Sequence, residues 1–124
     1  MIEHSAGFPD NILAFVYRGH VTRADYETVL VPVVARALET QKRLRVYCVV
    51  ESDFSGLDAG AVWEDLKVGI GHLTRWERVA VVTDVDWIAR SMRFFNFLMP
   101  CPMKAFPMAE AEQAREWIGA AAAN

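Results

Sequence analysis

Two short, almost unbroken apolar runs, Leu44 to Val50 and Val79 to Thr83, constrain this chain more than any other feature. A strand that is apolar on both sides of its pleat has to be covered on both faces, which is the situation inside a parallel sheet wrapped by helices. Between the runs, Ala59 to Leu73 keeps helical spacing, with Val62, Trp63, Leu66, Ile70 and Leu73 on one side and Glu64, Asp65 and His72 on the other. Strand, helix and strand in that order form a right-handed crossover between parallel neighbours.

The alternation extends in both directions. Ile2 and His4 begin a short alternating segment, and the turn cluster Gly7-Phe8-Pro9-Asp10-Asn11 leads into a strand from Ile12 to Arg18, so the chain opens with a hairpin. Thr22 with Asp25 resembles a capping box, after which Tyr26, Val29, Leu30, Val33, Val34, Ala37 and Leu38 keep helical spacing. Pro32 falls inside that pattern and predicts a kink. Ser52 to Asp58 reads as a polar loop, and Asp84 or Asp86 as the cap of a helix that Pro100-Cys101-Pro102 ends. Met103 to Phe106 reads as an edge strand stopped by Pro107. Glu110 to Ala121 is a last helix with Ala111, Ala114, Trp117 and Ile118 facing inward. The order ββαβαβαβα predicts an α/β fold: a mixed, mostly parallel sheet with crossover helices, in a single domain over residues 1–124.

A length of 124 residues suits one domain with a sizeable core, and 53% hydrophobic with 23% charged residues is a globular composition. Lys and Arg are scattered and the net charge is −3, so nothing points to nucleic acid. No basic n-region precedes an apolar stretch, and no run approaches membrane-spanning length, so the expected location is cytoplasmic. Cys48 and Cys101 are too few for a disulfide framework or a zinc site and read as reduced thiols, Cys48 buried and Cys101, between two prolines, accessible.

Chemistry is poorly supplied. His4, His20 and His72 fall in different elements without ligand spacing, so no metal or other cofactor is implied. Gly69-x-Gly71 sits within a helical pattern rather than at a strand-to-helix turn, so it is not a phosphate loop. Glu64 and Asp65 are neighbours whose side chains diverge, and Ser55 and Ser91 have no histidine nearby in sequence. The reading is a protein without catalytic residues.

The segment 87–99 stands out for surplus apolar surface. Ile88, Met92, Phe95 and Met99 line one stripe, Trp87, Phe94 and Leu98 lie well off it, and Phe97 falls between Arg90 and Arg93. Three readings fit: tight core packing, a homodimer interface, or contact with a small apolar ligand or a membrane surface. In the ligand reading Trp63 and Lys67, one turn apart, wall a cleft with Trp87, Phe94 and Phe97, and Arg90 and Arg93 meet a carboxylate or phosphate at its mouth. The negative net charge makes any membrane contact weak, peripheral and mostly hydrophobic. The other class of reading is a regulatory protein–protein interaction module, acting as a homodimer without a ligand.

Four stretches together resemble the SpoIIAA-like proteins of the STAS-related fold. They are Gly19-His20-Val21-Thr22-x-x-Asp25-Tyr26, Gly60-Ala61-Val62-Trp63-Glu64-Asp65-Leu66-Lys67, Glu77 to Asp84 running into Trp87, and Lys104-Ala105-Phe106 with Ala109 to Trp117. The resemblance implies a small α/β domain without enzymatic activity, whose relatives serve as regulatory binding modules or bind lipid-like ligands and associate with membranes. It also exposes a departure. Anti-anti-sigma STAS proteins carry a phosphorylatable serine at the start of the helix after the buried strand. Here Ala59 or Gly60 stands at that place, and Ser55 belongs to the preceding loop. A phosphorylation switch needs its hydroxyl, so none is expected.

Overall fold

Alternation along the strands decides which helix each residue meets. A computed structural model describes residues 1–61, 67, 75–98 and 101–120, with residues 94–98 as backbone only. Strand β1 (Ile2–Ser5) pairs antiparallel with β2 (Ile12–Tyr17), and β4 (Leu44–Val50), β6 (Trp76–Thr83) and β7 (Met103–Phe106) follow in parallel, giving the sheet order β1-β2-β4-β6-β7. Leu13, Phe15, Cys48, Val50 and Val81 turn to one face, where they bury Leu30, Val34 and Met92. Ile12, Ala14, Tyr47, Ala80 and Val82 turn to the other, against Ala114 and Ile118. The expected hairpin and mostly parallel sheet are therefore both present.

Three helical stretches connect β2 to β4 by way of β3 (His20–Val21): α1 (Arg23–Asp25), a π-helical turn (Tyr26–Leu30) and α2 (Val31–Thr40). The capping box is formed. Thr22 Oγ1 accepts from the Asp25 N–H at 3.3 Å, and Asp25 Oδ2 accepts from the Thr22 N–H at 2.8 Å. The kink expected from Pro32 takes the form of the π turn. Proline has no N–H to donate and crowds the carbonyl four residues back, so the turn ahead of it widens. The Val31 N–H accordingly reaches Tyr26 O, and the Thr28 hydroxyl donates to Ala24 O at 2.7 Å.

Residues 59–61 and 67 are helical, within the helix expected from Ala59 to Leu73, and the rest of that helix lies outside the described residues. A Cβ on Gly60 would stand 2.9 Å from Arg23 Cβ, so this helix start approaches α1 too closely for any side chain. The place of the missing phosphoacceptor thus has no room for a serine if Gly60 holds it.

Several expectations need correction. The loop from Ser52 to Asp58 contains β5 (Gly56–Leu57), which pairs parallel with β3 and starts on Gly56 at φ +131°, a conformation other residues avoid. Strand β6 begins at Trp76, three residues before Val79. Cys101 is 5% exposed, not accessible, because the turn that carries it tucks into the core beside Met92 and Met103, and burial pushes its thiol pKa up. Helix α3 (Asp86–Leu98) starts on Asp86 itself, while Asp84 accepts from the Met108 N–H at 2.9 Å and so ties down a 3-10 turn (Met108–Glu110) after β7.

The last helix, α4 (Ala111–Gly119), is held at its C-terminal end by two arginines that sequence reasoning passed over. Arg45, 6% exposed, donates to Ile118 O at 2.7 Å, to Ala120 O and to Glu77 Oε1. Arg78 donates to Trp117 O at 2.8 Å and lies over the Trp117 ring. Positive charge at the carbonyl end of a helix satisfies acceptors that have no intrahelical partner and complements the helix dipole. Arg75 does the same for α2 and the turn after it, reaching Leu38 O at 2.9 Å and Lys42 O at 2.6 Å.

Candidate functional site

The C-terminal ends of β6 and β7 and the first two turns of α3 enclose a groove of about 410 Å³. Its geometry begins at the end of β6. Thr83 is buried and its hydroxyl accepts from the Val85 N–H at 3.0 Å, a local turn that frees Val85 O to accept from the Ile88 and Ala89 N–H groups. That bend launches α3 alongside β7. Asp86, Ala89, Met92 and Arg93, spaced at helical intervals, form the helix wall of the groove. Met103, Lys104, Ala105 and Phe106 form the strand wall, and Thr83, Asp84 and Pro107 close the end nearest the β6 turn.

The groove is apolar in the middle and charged at its ends. Ala89, Met92, Met103 and Ala105 lie between Asp84 and Asp86 at the N-terminal end of α3 and Arg93 two turns further along. Lys104 sends its ammonium over the Phe106 and Trp117 rings, 5.6 and 5.5 Å from their centroids, so the guanidinium of Arg93 is the cation of the helix wall. Such an arrangement can seat a small molecule with an apolar body and a polar end. Among the described residues there is no group of three or more His, Cys, Asp or Glu placed to hold a metal ion.

Of the residues singled out in the sequence, Arg93 lines this groove and Arg90 is exposed on the same helix. Trp87 lies about 120° round α3 from Arg93. It is 49% exposed, and its ring stacks on Phe54 at 6.0 Å, with Phe54 in turn 6.4 Å from Tyr17. The Tyr17 hydroxyl then meets that of Tyr26 at 3.0 Å, completing a row of rings from the surface into the core. Lys67 is exposed on a helical residue. Trp63, Met99 and the side chains of Phe94, Phe95 and Phe97 lie outside what is described; of the expected core stripe, Met92 is buried and Ile88 packs on the core. Sequence reasoning missed Thr83, Asp84, Asp86, Met92 and Met103 as groove residues. The spacing of Asp86, Ala89, Met92 and Arg93 marks one face of α3, but nothing local announces that β7 runs beside it.

The SpoIIAA-like family model matches residues 12–119. The chain is similar to an uncharacterized protein of the DUF3478 family, with a SpoIIAA-like fold, from Shewanella loihica PV-4. The two are 27% identical, the match covers 95% of this chain and 92% of that one, and the TM-score is 0.76. No curated protein matches.

Proposed function

This chain belongs to the SpoIIAA-like family, and from that premise we propose that it is a binding and regulatory module rather than an enzyme, with a small apolar or lipid-like molecule held in the groove between α3 and β7. The observation that carries this reading is the groove itself, whose volume of about 410 Å³ falls in the range of small-molecule sites. Met92, Met103 and Ala89 offer adaptable apolar contact, and the planar guanidinium of Arg93 suits a carboxylate or phosphate. Occupancy is then felt by α3, whose flank beside the groove presents Arg90 and Trp87, about 60° and 120° round from Arg93, to solvent. That side is the proposed point of contact with a partner or with a membrane surface. No helix among the described residues is long and apolar enough to cross a membrane, so membrane contact in this proposal is peripheral.

Native mass spectrometry of freshly purified protein, repeated after organic extraction, tests the proposal. The expected result is an added mass of lipid size that extraction removes. Unadorned chain before extraction, together with no saturable binding at the groove of any small amphiphile, whether anionic, cationic or zwitterionic, would refute it.

A second reading is favoured by one observation, the half-exposed Trp87 stacked on Phe54. It is a protein–protein interaction module acting as a homodimer, with no ligand and no phosphoserine switch. It predicts a dimer of bare chains that Trp87→Asp converts to monomer. A dimer insensitive to that substitution would exclude this face.

A further inference from the structure

We propose that the ligand of the groove is bipolar: a small zwitterion with a cationic group at one end, an anionic group at the other, and an aliphatic spacer between them. The inference rests on the binding-module reading above and names the class of molecule bound. Asp86 and Arg93 are seven residues apart on α3, which puts them on nearly the same face and separates them by about 10 Å of helical rise. Both are exposed, and neither forms an ion pair among the described residues. Asp84 joins Asp86 at the acidic end, with Oδ1 already accepting from the Met108 N–H. Ala89 and Met92 on the helix and Met103 and Ala105 on the strand make the stretch between these charges apolar.

The charges discriminate between ligand classes. A simple anionic amphiphile held by Arg93 would lay its tail against Asp84 and Asp86 and strip water from two carboxylates without replacing it, an unfavourable exchange. A cationic amphiphile turned the other way would leave the Arg93 guanidinium facing hydrocarbon at the same disadvantage. A molecule with both charges about 10 Å apart pairs both ends and leaves the apolar walls to its spacer. The helix direction agrees. The carboxylates sit in the first turn of α3 and its preceding loop, at the positive end of the helix dipole.

The test is a titration of the intact protein, followed by amide nitrogen–proton NMR, with 8-aminooctanoate, octanoate and octylamine. 8-Aminooctanoate carries its charges at about the helix-imposed separation of 10 Å. It is expected to shift the Ala89 and Ala105 amides saturably and to bind about tenfold tighter than either singly charged analogue, a margin set by one good charge pair. Asp86→Asn should abolish its advantage over octanoate, and Arg93→Gln its advantage over octylamine. Both substituted side chains are exposed, and the wild-type series reads the proposal without them. Equal, saturable binding of octanoate and 8-aminooctanoate would overturn the bipolar ligand and leave the groove reading standing. No saturable shift at the groove with any probe would overturn both. Trialanine separates its termini by a similar ~10 Å on a polar spacer, and is expected to bind more weakly. Binding as tight as 8-aminooctanoate would replace the aliphatic spacer with a short peptide.

Discussion

Replacing Arg45 with methionine removes the one charged side chain that, among the described residues, is buried between the sheet and α4. Its guanidinium donates to Ile118 O, Ala120 O and Glu77 Oε1 and is 6% exposed. Without it Ile118 O loses its donor, at roughly 1 kcal/mol, while Ala120 O keeps only the longer bond from Arg78 at 3.3 Å. The Glu77 carboxylate, 24% exposed, loses its counter-charge. Methionine recovers part of the packing of the arginine stem. Breaking a buried pair from one side costs about 3–5 kcal/mol, and the partial exposure of Glu77 places this case at the lower end, about 3 kcal/mol. A domain of this length has roughly 6–15 kcal/mol of stability, so the loss is a large share of the total and shifts the midpoint of thermal unfolding by about 10 °C. Urea unfolding followed by circular dichroism reads the change as a lower midpoint at unchanged slope. Adding Glu77→Leu should recover more than half of the loss, because removing both partners leaves no stranded charge. A single-variant cost below about 1 kcal/mol, or a double variant no more stable than the single, would refute the capping argument.

The other predictions concern sites as local as this one. Gly60→Ala should destabilise the protein by about 1–3 kcal/mol, despite alanine's better helix propensity, because the new methyl meets Arg23 Cβ at 2.9 Å; equilibrium unfolding decides the sign. Burial works to raise the Asp25 carboxyl pKa, but the Thr22 N–H and hydroxyl and the Met1 ammonium outweigh it, so the folded value lies below the ordinary 3.8. A depressed folded value contributes stability above that pH and loses it as the pH falls through it, so Asp25→Asn should flatten the acid limb of a stability–pH curve below about pH 4 and leave its shape at neutral pH unchanged. Cys101, buried and with its thiol pushed up, should resist an aromatic disulfide reagent at pH 8 until the chain is unfolded; prompt modification of the native protein at Cys101 would contradict its placement.

Fold and site differ in how far residues announce them. Leu44 to Val50 and Val79 to Thr83 are apolar on both sides of the pleat, and only a sheet covered on both faces accepts that pattern, so the parallel core is legible from composition along a few residues. Strand β5 is two residues long and has no period to detect. Arg45 reads as a charge at the end of an apolar run, because the carbonyls that justify its burial come from residues more than seventy positions away. Cys101 stands between prolines, a loop signature, and its burial depends on where α3 hands the chain to β7. The groove is legible only as a helix face: Asp86, Ala89, Met92 and Arg93 share it, but the wall opposite is a strand that the spacing on α3 cannot reveal. Long-range placement, rather than local preference, is what those residues could not state.

The two faces of the sheet are covered at different moments of synthesis. The face holding Phe15, Cys48 and Val81 is met by α2 and α3, segments that leave the ribosome before or between the strands they cover. The opposite face, with Ile12, Ala14, Tyr47, Ala80 and Val82, waits for Ala114 and Ile118 of α4, which is made after every strand of the sheet. Until then a nascent chain with its strands already paired displays an apolar sheet surface, the kind of surface that chaperones bind and that neighbouring nascent chains stick to. Arg45 and Arg78 sit on that surface throughout, as charges within an otherwise apolar field, and they become fasteners only when the helix end arrives. Slowing translation over the final helix would lengthen that interval, while slowing it between β2 and β4 would not.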